Sequence, residues 1–309
     1  MTRVLVTGGA GFIGSHLTEA LVARGDQVRV LDNFSSGTPR NLSDVESRIE
    51  LVKGDLRNRA DLMEALQDSE VVFHEAAFVS VPESIENPGD CFDINVSGVV
   101  GLLEAARQAG ARRIVLASSA AVYGARADFP LREKGFTDCR SPYATSKRFN
   151  ENLATLYTQT YQLPVVALRY FNVYGPRQSP TSEYAAVIPR FIERLKASRA
   201  PIVYGDGKQT RDFVYVADVV RANLLAAESE GAAGQIINIC SGTETNLLDL
   251  LDVLRSIFPQ APAAELVATR LGDLRRSVGD PSLAAKLLGF RIQIPLDEGL
   301  KRCVAGWQE

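Results

Sequence analysis

Short apolar runs recur through the first half of the chain, at Val4–Val6, Val28–Leu31, Ile49–Val52, Val71–Phe73, Ile114–Ala117 and Val165–Tyr170, with helix-like apolar spacing between most of them. A run such as Val4-Leu5-Val6 lacks polar alternation, which predicts a strand buried on both faces. Strands alternating with helices predict an α/β fold with a doubly wound parallel sheet and right-handed crossovers. Beyond Tyr174-Gly175-Pro176-Arg177 the alternation loosens, and Pro180, Pro189, Pro201 and Gly205-Asp206-Gly207 punctuate shorter elements. The expected division is a nucleotide-binding domain over 1–175 and a smaller C-terminal α/β substrate lobe over 176–309. Ile236-Ile237-Asn238-Ile239 reads as a buried strand that returns to the first sheet, so the segment near 212–240 belongs partly with the first domain. Leu247 to Phe258 has the spacing of an amphipathic helix, and Pro259 and Pro262 mark the loop after it.

The first strand leads into Thr7-Gly8-Gly9-Ala10-Gly11-Phe12-Ile13-Gly14 and then into the helical pattern His16-Leu17-Thr18-Glu19-Ala20-Leu21. A strand that turns through glycines directly into a helix suits a pyrophosphate. Gly8, Gly11 and Gly14 permit the turn and a close backbone approach, while the free N–H groups and dipole at Phe12 and Ile13 favour negative charge. The next strand ends in Asp32, whose carboxylate suits adenosine ribose hydroxyls and repels a 2′-phosphate. Asn33-Phe34-Ser35-Ser36 offers no arginine beside it, so the cofactor is NAD rather than NADP, and the first domain is a Rossmann fold. Asn33 is counted with the cofactor residues. After the third strand, Asp55 can accept from the adenine amino group with Leu56 packed on the ring, or it can cap the helix beginning near Arg59; both remain open. After the fourth strand, Ala76 and Ala77 are small enough for backbone to lie against a cofactor, whereas His74 reads as a packed histidine.

The fifth strand ends in Ser118-Ser119-Ala120-Ala121-Val122-Tyr123-Gly124, and Ser141-Pro142-Tyr143-Ala144-Thr145-Ser146-Lys147 heads a helical stretch reaching about Tyr161. Tyr143 and Lys147 are four apart and share a helix face. A free tyrosine titrates at about 10, and lowering that by roughly three units needs around 4 kcal/mol of phenolate stabilisation. A lysine ammonium and an oxidised nicotinamide can supply it in a site shielded from water. Ser119 can bond the same substrate oxygen. Alone, Tyr-x-x-x-Lys is as readily a surface pair; after the glycine turn, Asp32 and the serine strand end, it reads as a catalytic set of Ser119, Tyr143 and Lys147.

Charge and composition narrow the partners. A net charge of −3 gives no reason to expect nucleic acid or an anionic membrane, and 46% hydrophobic with 23% charged residues is ordinary for a soluble enzyme. Cys91, Cys139, Cys240 and Cys303 form no close pair, and with only His16 and His74 as histidines no metal site is expected. Met1-Thr2-Arg3 runs straight into the first strand and no apolar stretch approaches membrane-spanning length, so a cytoplasmic location is expected.

Taken in order, Thr-Gly-Gly-Ala-Gly-Phe-Ile-Gly, Asp32, Gly54-Asp55-Leu56, Ser-Ser-Ala-Ala-Val-Tyr-Gly, Tyr-x-x-x-Lys and Arg169-Tyr170-Phe171-Asn172-Val173-Tyr174-Gly175-Pro176-Arg177 resemble the extended short-chain dehydrogenase/reductase family, within it the UDP-hexose 4-epimerases. The resemblance spans nearly the whole chain. It implies that Tyr143 removes the proton of a sugar 4-hydroxyl while hydride passes from C4 to NAD, and that Lys147 also holds the nicotinamide ribose. It implies substrate contacts for Asn172 near the phosphates, Arg211 and Arg270 on the diphosphate, Asp273 on the uridine ribose and Tyr204 beside uracil. Small Ser277, where UDP-glucose-restricted relatives are bulky, leaves space for an acetamido group. Ser80-Val81-Pro82 and the run from Tyr184 through Val187 to Pro189 also resemble the branch that accepts N-acetyl sugars. A homodimer through helices near Phe92–Gln108 and Tyr143–Tyr161 is implied too. Family dehydratases and decarboxylases generally carry an acid just before Val-Tyr-Gly, and this chain has Ala120-Ala121. A decarboxylase, a dehydratase, a uronic-acid or pentose epimerase and a non-catalytic NAD-binding regulator are the remaining alternatives.

Overall fold

A computed structural model of the protein describes residues 1–180, 186–269 and 274–307. The strands are β1 (Arg3–Thr7), β2 (Gln27–Asp32), β3 (Ile49–Lys53), β4 (Val71–His74), β5 (Arg113–Ser119), β6 (Val165–Tyr170), β7 (Asn172–Tyr174), β8 (Ile202–Tyr204), β9 (Thr210–Arg211), β10 (Phe213–Tyr215), β11 (Ile236–Ile239), β12 (Thr245–Asn246) and β13 (Glu265–Val267). The helices are α1 (Phe12–Arg24), α2 (Arg59–Leu66), α3 (Val81–Glu86), α4 (Pro88–Phe92), α5 (Gly98–Gln108), α6 (Pro142–Tyr161), α7 (Val187–Lys196), α8 (Val216–Glu228), α9 (Leu247–Ile257), α10 (Ser282–Leu288) and α11 (Leu296–Ala305).

Seven parallel strands form the main sheet in the order β11-β6-β5-β4-β1-β2-β3. Chain order reverses between β1 and β4, which opens a crevice at the carboxyl edge where Gly8, Asp32 and the residues after His74 converge. Side chains of successive strand residues enter opposite cores. Val4, Val6, Phe73, Val115 and Leu168 pack with Leu17, Leu21 and Val219 on the α1/α8 side. Leu5, Val72, Ile114 and Leu116 pack with Leu62, Leu102 and Leu153 on the α2/α5/α6 side. Full burial of each such side chain contributes roughly 2 kcal/mol, which fixes the sheet between its helical layers. The returning strand enters the sheet as expected, with Ile236–Ile239 pairing Ala167–Tyr170 in parallel.

A third core, around Ile188, Phe191, Val203, Tyr215, Leu250, Leu254 and Leu300, belongs to the shorter elements that follow β6. Three two-stranded ribbons, β7/β10, β8/β13 and β9/β12, accompany this core. Asp212, fully buried between β9 and β10, links them to β7 and to the end of β11. Its carboxylate accepts from Ser241 N and Oγ (both 2.7 Å), Gly242 N (3.0 Å) and Gly279 N (3.2 Å), and its carbonyl accepts from Asn172 N (3.0 Å). Burial raises this carboxyl, and the bonds from Ser241 and the backbone N–H groups oppose the rise.

Two local readings differ from the sequence expectation. The segment Phe92–Gln108 is not one regular helix: α4 ends at Phe92 and a π-helical turn, Asp93–Ser97, precedes α5. The wider turn brings Asn95 inward, where its Nδ2 donates to Phe78 O (2.9 Å) and Ser146 Oγ (3.1 Å) and its Oδ1 accepts from Phe78 N (2.8 Å). The cap of α2 is Asn58, whose side chain accepts from Ala60 N, and not Asp55.

Candidate active site

The turn after β1 is built for close contact. Gly8 has φ +69°, and a Cβ there would lie 2.6 Å from Ala76 N; a Cβ on Gly14 would lie 2.1 Å from Gly8 O. Only glycine fits either place. Gly11 caps α1 without a side-chain hydrogen bond, leaving the first N–H groups at Phe12 and Ile13 facing the turn. Asp32, at the end of β2, accepts from Ala10 N (2.9 Å) and Phe34 N (2.8 Å), which orients its carboxylate beside the glycines. Asn33 donates to Asp55 (2.9 Å), and Arg57 grips the same carboxylate through Nε (2.9 Å) and Nη2 (2.8 Å), holding Asp55 well below the usual carboxylate range. Leu56 is buried beneath this group, against Gly98. A cradle that a Cβ would fill, an uncapped helix N-terminus and an oriented carboxylate fit a dinucleotide. Ala76 and Ala77 follow β4 along the same edge, and Ser80 caps α3 by accepting from Glu83 N (3.2 Å).

Tyr143 and Lys147 lie on the first turns of α6, with the Lys147 Nζ 5.8 Å from the Tyr143 ring centre. Pro142 opens the helix, Ser141 caps it by accepting from Ala144 N (3.1 Å), and Tyr143 N donates to buried Ser84 Oγ (3.2 Å). Lys147 is buried, and its Nζ donates to Ala117 O on β5 (2.9 Å). Ser119 ends β5, its Oγ accepts from Ala121 N (3.2 Å), and its hydroxyl lies close enough to Tyr143 to pull the phenol down. The expected trio of Ser119, Tyr143 and Lys147 therefore comes together. Without a cofactor's charge the phenol is not depressed: burial pushes Tyr143 up, the Ser119 bond opposes this, and Glu75 adds to the rise. Burial also drives Lys147 down to about 8, against the pull of Glu75. His74 is the packed histidine expected, bonded through Nδ1 to Thr7 Oγ1 (2.8 Å) and driven down to about 3 by burial and then by Lys147.

Behind Ser119 lies an unexpected polar layer. Glu151 of α6 accepts from Ser118 Oγ (2.7 Å) and forms a two-pronged pair with Arg169 of β6 (2.6 and 2.7 Å), with both side chains fully buried. Removing one partner of such a pair leaves an uncompensated charge, so the layer fixes β5, β6 and α6 relative to one another. Also unforeseen is Glu75, which accepts from Tyr170 OH (2.7 Å), itself an acceptor for Asn223 Nδ2 (2.7 Å). Its signal in the sequence is an acid directly after an apolar strand, in the run His74-Glu75-Ala76-Ala77.

Across the crevice, Asn172, Val187 and Arg211 line one cavity of about 150 Å³ together with Gln178, Gln209 and Phe213. Arg211 Nη1 donates to Thr210 O (2.8 Å) and Leu274 O (2.7 Å), which anchors the guanidinium at the cavity wall. Tyr204 sits at the end of β8, half-buried, outside that lining. Ser277 is buried, between Arg275, whose carbonyl accepts from Thr210 N (3.0 Å), and Val278, whose carbonyl accepts from Leu131 N (2.9 Å). Arg270, Asp273 and Tyr184 lie outside the described residues. Among the described residues there is no metal-binding cluster of His, Cys, Asp and Glu, and no helix is long and apolar enough to cross a membrane.

Comparison with known proteins agrees with this geometry. Residues 4–240 match the NAD dependent epimerase/dehydratase family. A UDP-glucose 4-epimerase of Mycolicibacterium smegmatis is 41% identical over 307 residues, covering 98% of this chain and 97% of the relative. A UDP-N-acetyl-alpha-D-glucosaminuronate decarboxylase of Bacillus cytotoxicus is 33% identical over 319 residues, covering 99% and 98%. Among solved structures, a UDP-N-acetylglucosamine 4-epimerase from Methanobrevibacter ruminantium superposes with a TM-score of 0.95 at 36% identity, covering 99% of this chain and 97% of that one. The Thermus thermophilus UDP-glucose 4-epimerase complex with NAD gives 0.90 at 37%, covering 99% and 98%. The chain belongs to the NAD dependent epimerase/dehydratase family, of the extended short-chain dehydrogenase/reductase type, and its cofactor is NAD.

Proposed function

We propose that the protein is a UDP-hexose 4-epimerase that interconverts UDP-glucose with UDP-galactose and also accepts their N-acetyl counterparts. The observation that carries this reading is the convergence of Ser119, Tyr143 and Lys147 at the carboxyl edge beside the glycine turn. Bound NAD supplies the hydride acceptor and donor. Tyr143, as phenolate, takes the proton of the C4 hydroxyl, and Ser119 holds that oxygen while the carbon is a ketone. The proton returns from Tyr143 once the carbon is reduced on its opposite face, so no net oxidation results. Lys147, charged beside the phenol, favours the phenolate by opposite-charge attraction. Asp32 and Asn33 hold the adenosine ribose, with Asp55 and Leu56 at the adenine. Gly8, Gly11, Gly14, Phe12 and Ile13 meet the pyrophosphate, and Ala76 and Ala77 let the backbone approach.

On the substrate side, Arg211 presents a planar fork to the diphosphate, with Asn172 and Val187 lining the same cavity. Arg270 and Asp273 join them in this reading, Tyr204 lies beside uracil, and Ser80 faces the sugar. Ser277 is small enough to leave room for an acetamido group. The decarboxylase relative raises a second reading, in which a further proton-transfer group assists chemistry beyond C4. The turn after Ser119, Ala120–Tyr123, carries no acid, which favours simple epimerisation. Exposed Phe92, Val100, Phe149 and Leu156, on helices flanking the site, support a homodimer, which light scattering on the purified protein measures directly. The function is tested by incubating the protein with a panel of UDP-sugars without added cofactor and identifying products by NMR. C4 epimers are expected; release of carbon dioxide or water would support the second reading instead.

A further inference from the structure

Glu75 stands one residue past β4, on the edge where the reaction is placed. His74 is the register partner of Leu116, so continuing the parallel pairing sets Glu75 against Ala117, the residue whose carbonyl receives the Lys147 Nζ. Neighbouring strands are about 4.8 Å apart, so Glu75 and the carbonyl that holds Lys147 stand on adjacent strands, and the carboxylate acts on the ammonium through space and not as a direct ion pair. Its direction is fixed from the other side. Tyr170 of β6 reaches over the end of β5 to donate to the carboxylate at 2.7 Å, and Asn223 of α8 donates to the Tyr170 oxygen at 2.7 Å. The bond that holds Lys147 directly is to a neutral carbonyl, so the ammonium's charge must be balanced from elsewhere.

We propose that Glu75 is a positioning residue that acts through Lys147: it is the counter-charge that keeps the buried ammonium protonated while Tyr143 exchanges its proton. This rests on the epimerase reading for the role of Lys147, though the charge coupling itself does not depend on which sugar is turned over. The groups that face Glu75 are Lys147 and Tyr143 from α6, Tyr170 from β6 and, through Tyr170, Asn223 from α8, with neutral His74 beside it on β4. Cys91 of α4, whose Sγ lies 4.0 Å from Ser146 Oγ, also raises Lys147. Burial pushes Glu75 up to about 7, the Tyr170 bond and Lys147 pull it down, and Lys147 stands at about 8 with Glu75 raising it. Each group therefore favours the charged form of the other. An ionised Glu75 also works against the Tyr143 phenolate, so its benefit lies in the lysine's charge.

The test is Glu75→Gln, which keeps an acceptor for Tyr170 and removes the charge. With lysine Cε labelled by 13C and the Lys147 signal assigned by its loss in Lys147→Arg, the pH titration of that signal is followed in the NAD-loaded protein. The expected result is a fall in Lys147 proton affinity of about tenfold, one pH unit, with the alkaline limb of kcat moving the same way. An unchanged or raised Lys147 titration would overturn the proposal, as would a lowered one that leaves the kcat limb in place. If Glu75→Gln does not fold, Glu75→Ala decides by the same titration: a lowered Lys147 proton affinity supports the coupling, and an unchanged or raised one contradicts it. Absence of turnover in the native protein would count against the epimerase reading alone, because the titration needs no substrate.

Discussion

In the proposed reaction Tyr143 must act as a base in surroundings that, by themselves, make its phenol a weaker acid. The positive charges of Lys147 and of oxidised NAD must therefore offset burial before proton transfer can occur. Tyr143→Phe is expected to lower kcat by about 10³-fold or more with NAD binding unchanged, read by turnover and by retained dinucleotide absorbance. Ser277→Tyr is expected to remove activity on UDP-GlcNAc while sparing UDP-glucose, because a ring fills the space next to Val278 that an acetamido group needs. Loss of both activities, or of neither, contradicts that assignment. His74 gives the pH dependence of stability. It is neutral and buried, at about 3 against an ordinary 6.5, so unfolding releases a group that binds a proton anywhere between those values. Stability present above pH 6.5 is lost as the pH falls toward 3, by on the order of 5 kcal/mol at most. His74→Gln is expected to flatten that slope in a thermal melt series.

At the scale of elements, the glycine turn and α1 are the most sequence-determined part of the molecule. Gly14→Ala places a methyl group 2.1 Å from Gly8 O, and the turn must open to relieve it. At least a tenfold loss of NAD affinity by calorimetry is expected, with the fold retained by circular dichroism. Local signals made this part legible: buried runs mark β1, β2, β4, β5 and β6, Asp32 marks a strand end, and four-residue spacing puts Tyr143 and Lys147 on one face. What the sequence did not reveal depends on partners distant along the chain. Glu151 and Arg169 carry no local sign of burial, because they enter the core as a pair only when α6 is laid on β6, with Ser118 donating to the same carboxylate. Glu75 is held in place by Tyr170, 95 residues away. The π-helical turn at Asp93–Ser97 has no periodic signature of its own, since Asn95 is drawn inward by Phe78 and Ser146 rather than by neighbours on its helix.

At the scale of the molecule, the two ends of the proposed site come from different cores. The sheet between two helical layers presents Asp32, Ser119, Tyr143 and Lys147, whereas the third apolar core holds the ribbons that carry Asn172, Tyr204 and Arg211. Asp212 joins these parts by bonding the ends of β11 and the loop containing Gly279, so the cavity wall is referenced to the sheet. The interleaving was visible in the apolar run Ile236–Ile239, but the identity of the clamp was not, because a lone aspartate between Arg211 and Phe213 reads equally well as a solvated charge. Such an arrangement suits a reaction that lends a hydride and takes it back without release of the sugar. Its most direct test is to follow UDP-glucose deuterated at C4 by NMR, with no cofactor added. The expected product is UDP-galactose with deuterium retained at C4; washout of the label into solvent, or a 4-keto product that has lost water, would contradict it.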